Sequence, residues 1–254
     1  MPPQVTVIIP AFNEEARLGA TLDRVVQHPR LDGAQIVVVD DGSTDATVAI
    51  SEDRLRDIPF AHTLRSPSNK GKGAAIRKGM VVAGGDKVLF MDADLATSLD
   101  AIDPMLDRLD EADVVVGSRN LNGSVVTGRS RGRAVMHRAF SGPARQIAGL
   151  GVSDPQCGFK GFRREIVGPL FRYSLFDGFS IDVEILLIAQ KMGLRIEEIP
   201  VVWHAVQGSK VRVLRDPLHM AADLARVRYR HRDVPRHVPA ASRDVGDHPR
   251  AVTA

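Results

Sequence analysis

The sequence predicts an α/β protein: a mostly parallel sheet flanked by helices, in a single domain. Three observations lead there. Short Val- and Ile-rich runs recur through the first half of the chain, at Val5–Ile9, Gln35–Val39, Lys87–Met91 and Val114–Gly117. Those runs are almost continuously apolar, the pattern of strands buried on both faces. Between them lie stretches with apolar residues at helical spacing, so strands and helices alternate as a parallel sheet requires.

Each element has its own reason. Val5–Ile9 is β-branched and begins the sheet. Asn13–Gln27 carries Leu18, Leu22, Val25 and Val26 on one helical side, with Asn13 suited to cap it. Gln35–Val39 is a second strand, ended by "DDGSTD", and Asp45–Leu55 is a helix. Phe60–Leu64 fits a short strand, "SPSNKGKG" a loop, and Ala74–Val82 a helix. Lys87–Met91 is a strand, Ser98–Leu109 a helix and Val114–Gly117 a strand. The second half is less regular. Arg131–Gly149 has a basic helical pattern, "DPQCGFKGF" is turn-rich, Ile181–Met192 is a helix, Arg195–Val202 a strand and Pro217–Arg232 a basic amphipathic helix. This divides the chain into a folded unit over 1–216, the helix over 217–232, and a tail over 233–254 without periodicity that reads as disordered.

Composition bounds the function. The chain has 254 residues, 44% of them hydrophobic and 26% charged, as in ordinary soluble domains. The net charge is only +3, yet between Arg119 and Ser153 six arginines fall without one acid. A local basic face of that kind suits an anionic partner such as phosphate or a membrane surface; nothing points to nucleic acid. The lone cysteine, Cys157, excludes an internal disulfide framework and fits a reducing compartment. No signal peptide is visible, and no apolar run is long enough to span a bilayer.

The chemistry gathers at the strand ends, where parallel sheets bind ligands. "VLFMDADLAT" ends a strand with Asp92 and Asp94 one residue apart, so both carboxylates project to the same side. Such a pair repels itself unless a cation lies between, and a hard divalent ion shared with a diphosphate, Mg²⁺ or Mn²⁺, is the natural occupant. A pair of solvated loop acids is the plainer alternative. Asp40 and Asp41 end a second strand, where carboxylates suit a base N–H or ribose hydroxyls. The loop "SNKGKG" that opens "SNKGKGAAIRKGM" offers two glycines, two lysines and a following helix N-terminus. It lacks the P-loop spacing, and no G-x-G-x-x-G follows the first strand, which argues against a dinucleotide-binding dehydrogenase.

Together, "VIIPAFNEE", "VVVDDGSTDAT", "NKGKGAAIRKGM", "FMDADLAT" and "VVGSR" resemble the GT-A glycosyltransferases of family 2. "DPQCGFKGF", "FSIDVEIL" and "EIPVVWHAVQGSKV" resemble the branch transferring glucose to dolichyl or polyprenyl phosphate, related to the dolichyl-phosphate mannose synthases. The resemblance implies a GT-A fold and an inverting, metal-dependent transfer from a nucleotide-sugar, UDP-glucose or else GDP-mannose, to a lipid phosphate. Asp92 and Asp94 would hold the metal and the donor diphosphate. Pro10, Ala11, Asn13, Glu14 and Ala93 would line the nucleotide pocket, with Asp40 and Asp41 toward base or ribose, and Asn69, Lys72 and Gly73 closing over the base.

A phosphate acceptor is already anionic, so it needs cations rather than a base. Arg119, Arg131, Arg133 and Lys210 are the candidates, Arg119 beside the reacting centre. Asp154, Gln156, Asp182 and Glu184 are candidates for sugar hydroxyls, although Asp182 and Glu184 also suit a helix dipole. A lipid acceptor implies a cytoplasmic protein attached peripherally to the inner membrane face, against anionic lipid. Two other readings stay open: a polysaccharide glycosyltransferase with a hydroxyl acceptor, for which Asp182 would be the base, and a non-catalytic nucleotide-sugar-binding scaffold.

Overall fold

A computed structural model describes residues 3–128, 150–206, 226, 229–231 and 234. Nine strands and six helices are named from them: β1 Val5–Ala11, α1 Leu18–Val26, β2 Gln35–Asp40, α2 Thr47–Leu55, β3 His62–Arg65, α3 Lys72–Val82, β4 Lys87–Met91, α4 Ile102–Arg108, β5 Val114–Ser118, β6 Val125–Thr127, β7 Phe159–Arg163, α5 Arg164–Phe171, α6 Ile181–Lys191, β8 Ile196–Pro200 and β9 Val202–His204.

Seven strands form one sheet in the order β3-β2-β1-β4-β7-β5-β8. All neighbours are parallel except β7, which is antiparallel to both β4 and β5. The carboxyl ends of β1, β2, β4 and β5 therefore share one edge. Because β7 runs the other way, its amino end reaches that edge too, with Phe159 opposite Met91.

Strand alternation distributes the core over both faces. Ile8, Val37, Val39, Phe90 and Phe162 join one cluster, with Ile76 and Met80 of α3 and Ile181, Ile185 and Ile188 of α6. Val7, Ile9, Ile36, Val38, Leu89 and Val115 join the other, with Leu18 and Leu22 of α1 and Ile102 and Met105 of α4. The aromatic rings of Phe90, Phe162 and Phe171 form a chain through the first cluster, with centroids 5.9 and 5.5 Å apart.

The main departure from the sequence reading is "DPQCGFKGF". Its last residues are not a turn but the start of the antiparallel strand β7 at the middle of the sheet. Asn13 does not cap α1: it has a φ of 51°, α1 begins five residues later, and the Asn13 side chain accepts from the Thr44 N–H instead. The region from Arg195 to Val202 divides into β8 and β9, and β9 leaves the main sheet to pair with β6. The helix expected over 131–149, most of the segment 217–232 and the tail lie outside the described residues.

Candidate active site at the strand ends

The edge gathers most of the residues singled out in the sequence. At the end of β4, Asp92 Oδ1 lies 2.8 Å from Lys72 Nζ, at the start of α3. Asp94 Oδ1 accepts from the Ala96 N–H at 3.0 Å. The Ala93 carbonyl between them accepts from Thr21 Oγ1 at 2.7 Å, which ties the segment to α1. Gly158, just before β7, packs directly on Asp92; a Cβ there would overlap the carboxylate. Burial, and next the charge of Asp92, push the Asp94 carboxyl above its ordinary range.

Among the described residues, no three His, Cys, Asp or Glu side chains form a ready-made metal cage. Two carboxylates on a tight turn, with a like-charge repulsion between them, still fit a hard divalent cation. Such ions are commonly held by one or two carboxylates, with substrate phosphate and water completing the shell. The donor set fits Mg²⁺ or Mn²⁺.

The end of β2 is built differently from the expectation. Asp40 is buried and accepts from the N–H groups of Gly42 and Ser43. Asp41 is also buried, and its two oxygens accept from the Lys70 and Gly71 N–H groups at 2.9 and 2.7 Å. Both carboxylates thus hold loop backbone at the end of β2. Ala11 O accepts from the Asp41 N–H. Asn13 and Glu14 donate their N–H groups to Ser43 Oγ and Thr47 Oγ1, and the Glu14 carboxylate pairs with Arg17. Pro10 and Asn69 lie at the same edge, half-buried and exposed respectively.

The helix N-terminus of α3 is not open either. The Gly73 and Ala74 N–H groups donate to the Asp177 carbonyl at 2.6 and 3.3 Å. Gly73 is glycine because the Phe176 carbonyl passes where a Cβ would stand. Gly73 therefore seats the loop over 174–178 against α3. Arg77 holds the same loop through the Phe176 carbonyl and Asp177. Glu184 completes the anchoring: it is fully buried and accepts from Ser174 Oγ, the Leu175 N–H and the Phe176 N–H, with His231 Nε2 at 2.8 Å. Its carboxylate holds that turn.

Asp182, by contrast, is at the site, but between two cations. Its Oδ2 lies 3.0 Å from Lys72 Nζ and its Oδ1 2.6 Å from Lys160 Nζ. Lys160 is fully buried in β7 and also donates to the Cys157 carbonyl. Burial works against the charge on Lys72, but Asp182 and Asp92 outweigh it, so its ammonium is held charged well above the ordinary lysine range. Sequence reasoning missed Lys160 and Gly158. The signal for Lys160 was present: a lysine standing between two phenylalanines in "GFKGF", on a strand-like alternation.

Beyond the end of β5, Arg119 forms a two-pronged pair with Asp154, Nε to Oδ2 at 2.6 Å and Nη2 to Oδ1 at 2.8 Å. The Arg119 N–H donates to the same carboxylate, and the guanidinium lies over the Trp203 ring at 5.6 Å. Burial opposes the Arg119 charge, but the Asp154 hydrogen bonds and charge prevail and raise its pKa further. Asp154 is completely buried, and its carboxylate orients Arg119. Glu198 steadies the segment by accepting from the Ser153 and Asp154 N–H groups. Gln156 is half-buried beside it. The Cys157 thiol is buried and pushed up by that burial, which suits packing rather than nucleophilic attack. Arg131, Arg133 and Lys210 lie outside the described residues.

A sheet of this order, with paired carboxylates closing β4 and basic side chains around them, defines a GT-A glycosyltransferase. The chain belongs to glycosyl transferase family 2, whose family model matches residues 6–171. It is similar to the dolichyl-phosphate β-glucosyltransferase of Dictyostelium discoideum, 31% identical over 89% of this chain and 74% of that one. The corresponding human enzyme is 32% identical over 90% and 76%, and that of Saccharomyces cerevisiae 31% over 88% and 74%. Among solved structures, glucosyl-3-phosphoglycerate synthase of Mycobacterium tuberculosis with Mn²⁺, UDP and glucosyl-3-phosphoglycerate superposes with a TM-score of 0.63. It covers 90% of this chain and 80% of that one at 21% identity, a likeness of fold.

Proposed function

We propose that this glycosyltransferase transfers glucose from UDP-glucose to a dolichyl or polyprenyl phosphate, giving a β-linked lipid-phosphate sugar. The dolichyl-phosphate β-glucosyltransferases it resembles over most of its length support the acceptor and the sugar. The observation that carries the reading is the state of the acids. Asp182 lies between two lysines, Asp154 is committed to Arg119 and Glu184 to a buried turn. Asp182, the candidate general base for a hydroxyl acceptor, is thus held by two cations. A sugar hydroxyl must lose a proton as it attacks, whereas a phosphate is already anionic at neutral pH and asks only for orientation.

In this reading Asp92 and Asp94 hold a divalent ion with the donor diphosphate. When bound, that ion supplies Lewis-acid charge to the departing nucleoside diphosphate. Lys72 faces the same diphosphate from α3. Pro10, Ala11, Asn13, Glu14, Ala93 and Asn69 shape the nucleotide cleft, and the buried Asp40 and Asp41 fix its loops. Arg119, oriented by Asp154 and the Trp203 ring, presents positive charge to the incoming phosphate, with Arg131, Arg133 and Lys210 as its partners in charge. Gln156 stands toward the sugar. Attack from the face opposite the diphosphate inverts the donor's α-linkage to β.

None of the described helices is long and apolar enough to cross a membrane. The lipid acceptor puts the reaction at a membrane surface, and the basic segment 217–232, beyond a catalytic unit over 1–216, suits contact with anionic lipid at the inner face. Changing Arg226, Arg228, Arg230 and Arg232 to Gln should then weaken binding to anionic vesicles at low salt.

The deciding experiment incubates the protein with Mn²⁺ or Mg²⁺, a short polyprenyl phosphate and labelled UDP-glucose or GDP-mannose in parallel. A lipid-linked, alkali-characterised β-glucosyl product from UDP-glucose is expected. Transfer only to a hydroxyl acceptor, or only from GDP-mannose, overturns the assignment.

A further inference from the structure

Four charged groups run in an unbroken alternating line through the site. Asp92 Oδ1 meets Lys72 Nζ at 2.8 Å, Lys72 Nζ meets Asp182 Oδ2 at 3.0 Å, and Asp182 Oδ1 meets Lys160 Nζ at 2.6 Å. The two ammonium groups flank one ring, lying 5.7 and 5.4 Å from the Phe90 centroid. Lys160 is fixed by burial within β7 and by its bond to the Cys157 carbonyl. Lys72 is not fixed in that way. It is the first residue of α3, part of its side chain reaches solvent, and it has two carboxylates to choose between.

The same Asp92 oxygen is therefore the partner of a resident cation. A divalent ion at Asp92 and Asp94 has to compete with Lys72 for it. Counting Asp92, Asp94 and Asp182 against Lys72 and Lys160 leaves one net negative charge for a doubly charged ion. A nucleoside diphosphate changes that balance, because it supplies further negative oxygens to the ion and a new anionic partner for Lys72. Asp182 keeps Lys72 paired while the exchange takes place.

We propose that Lys72 is an internal counter-ion that occupies Asp92 in the free enzyme and yields it only when a nucleoside diphosphate arrives, with Asp182 and Lys160 as the positioning residues that hold Lys72 ready. Metal binding is thereby tied to donor binding, and the carboxylate pair does not capture a divalent ion unproductively. The proposal rests on the assignment of Asp92 as a metal ligand.

The test measures Mn²⁺ binding by the loss of the free-ion electron paramagnetic resonance signal, with and without UDP, in the full chain. Lys72→Gln should bind Mn²⁺ without UDP about tenfold more tightly than the parent, the change expected when a competing charge-assisted hydrogen bond is removed. The same variant should bind metal-free UDP more weakly, and the gain in Mn²⁺ affinity caused by UDP should shrink. Lys87→Gln, at the opposite end of β4 with Asp110 as its partner, should match the parent. A Lys72→Gln protein, folded by circular dichroism, whose nucleotide-free Mn²⁺ affinity is unchanged or lower overturns the proposal. Asp92→Asn separates the two levels: if it retains full UDP-dependent Mn²⁺ binding, the metal assignment fails and the proposal falls with it, whereas loss of binding in Asp92→Asn beside an unchanged Lys72→Gln refutes the role of Lys72 alone.

Discussion

Lys160 Nζ lies 2.6 Å from Asp182 Oδ1, and no part of the lysine side chain reaches solvent. A charge in the middle of a sheet is tolerated only with a partner at such a distance. The pair joins β7 to α6 and sets the second lysine, Lys72, against the end of β4. The two ends of the pair are not equivalent. Asp182→Ala strands a buried ammonium and should cost about 3–5 kcal/mol. Lys160→Met leaves Asp182 with Lys72 and should cost less, about 1–3 kcal/mol. Urea unfolding of both variants checks this, and equal losses would show that Lys72 does not support Asp182.

Asp92→Asn and Asp94→Asn remove the charges that gather the cation and the diphosphate. Each should lower transfer on the order of 10²–10³-fold, the scale of losing one preorganised electrostatic contact in an active site. The fold should survive, because Asp92 is partly exposed and the Asp94 turn keeps an acceptor for the Ala96 N–H. Thermal melts beside rate measurements, with a chelator control, separate the two effects. Undiminished transfer in chelator would sink the metal assignment.

Gly158→Ala is a purely steric counterpart. The added methyl would overlap the Asp92 carboxylate, which has Lys72 as its other neighbour. Asp92 must turn away, and the carboxylate pair loses its geometry. Transfer should fall at least tenfold with a smaller proportional change in the urea midpoint, since displacement of a reacting group by about 1 Å costs on the order of 10²-fold. A fully active Gly158→Ala protein would show that Asp92 does not need its present position.

Much of this arrangement was legible before any coordinates. β1, β2, β4 and β5 are almost continuously apolar, and strand ends in a parallel sheet converge, so the two-carboxylate turn at Asp92 and Asp94 was visible as a site. β7 was not, because two glycines and a lysine within "CGFKGF" hide a strand whose burial depends on Asp182, 22 residues beyond Lys160. The acids of the second half could not be sorted for a related reason. Asp182 and Glu184 are two residues apart at the start of one helix, yet one turns to lysines and the other to the 174–176 turn. Only the packing of the loop distinguishes them. Asp40 and Asp41 likewise look like ligand groups in sequence, and their backbone partners appear only when the loops fold together.

Arg119 joins stability to acceptor use. Its guanidinium is the partner of Asp154, which is completely buried. Removing the arginine takes the two-pronged guanidinium pairing from that buried carboxylate, so Arg119→Ala should destabilise the protein by about 3–5 kcal/mol. Arg119→Lys keeps the charge but lacks the planar fork, so it should retain most of the stability and lose the two-pronged geometry. That variant is the informative one for function. If the guanidinium orients the incoming phosphate, Arg119→Lys should raise the KM for polyprenyl phosphate severalfold to tenfold while leaving the KM for the nucleotide-sugar within about twofold, the pattern of lost acceptor binding. Steady-state kinetics with each substrate varied in turn gives the answer. A change confined to the nucleotide-sugar would move Arg119 to the donor side, and unchanged kinetics would confine it to holding Asp154.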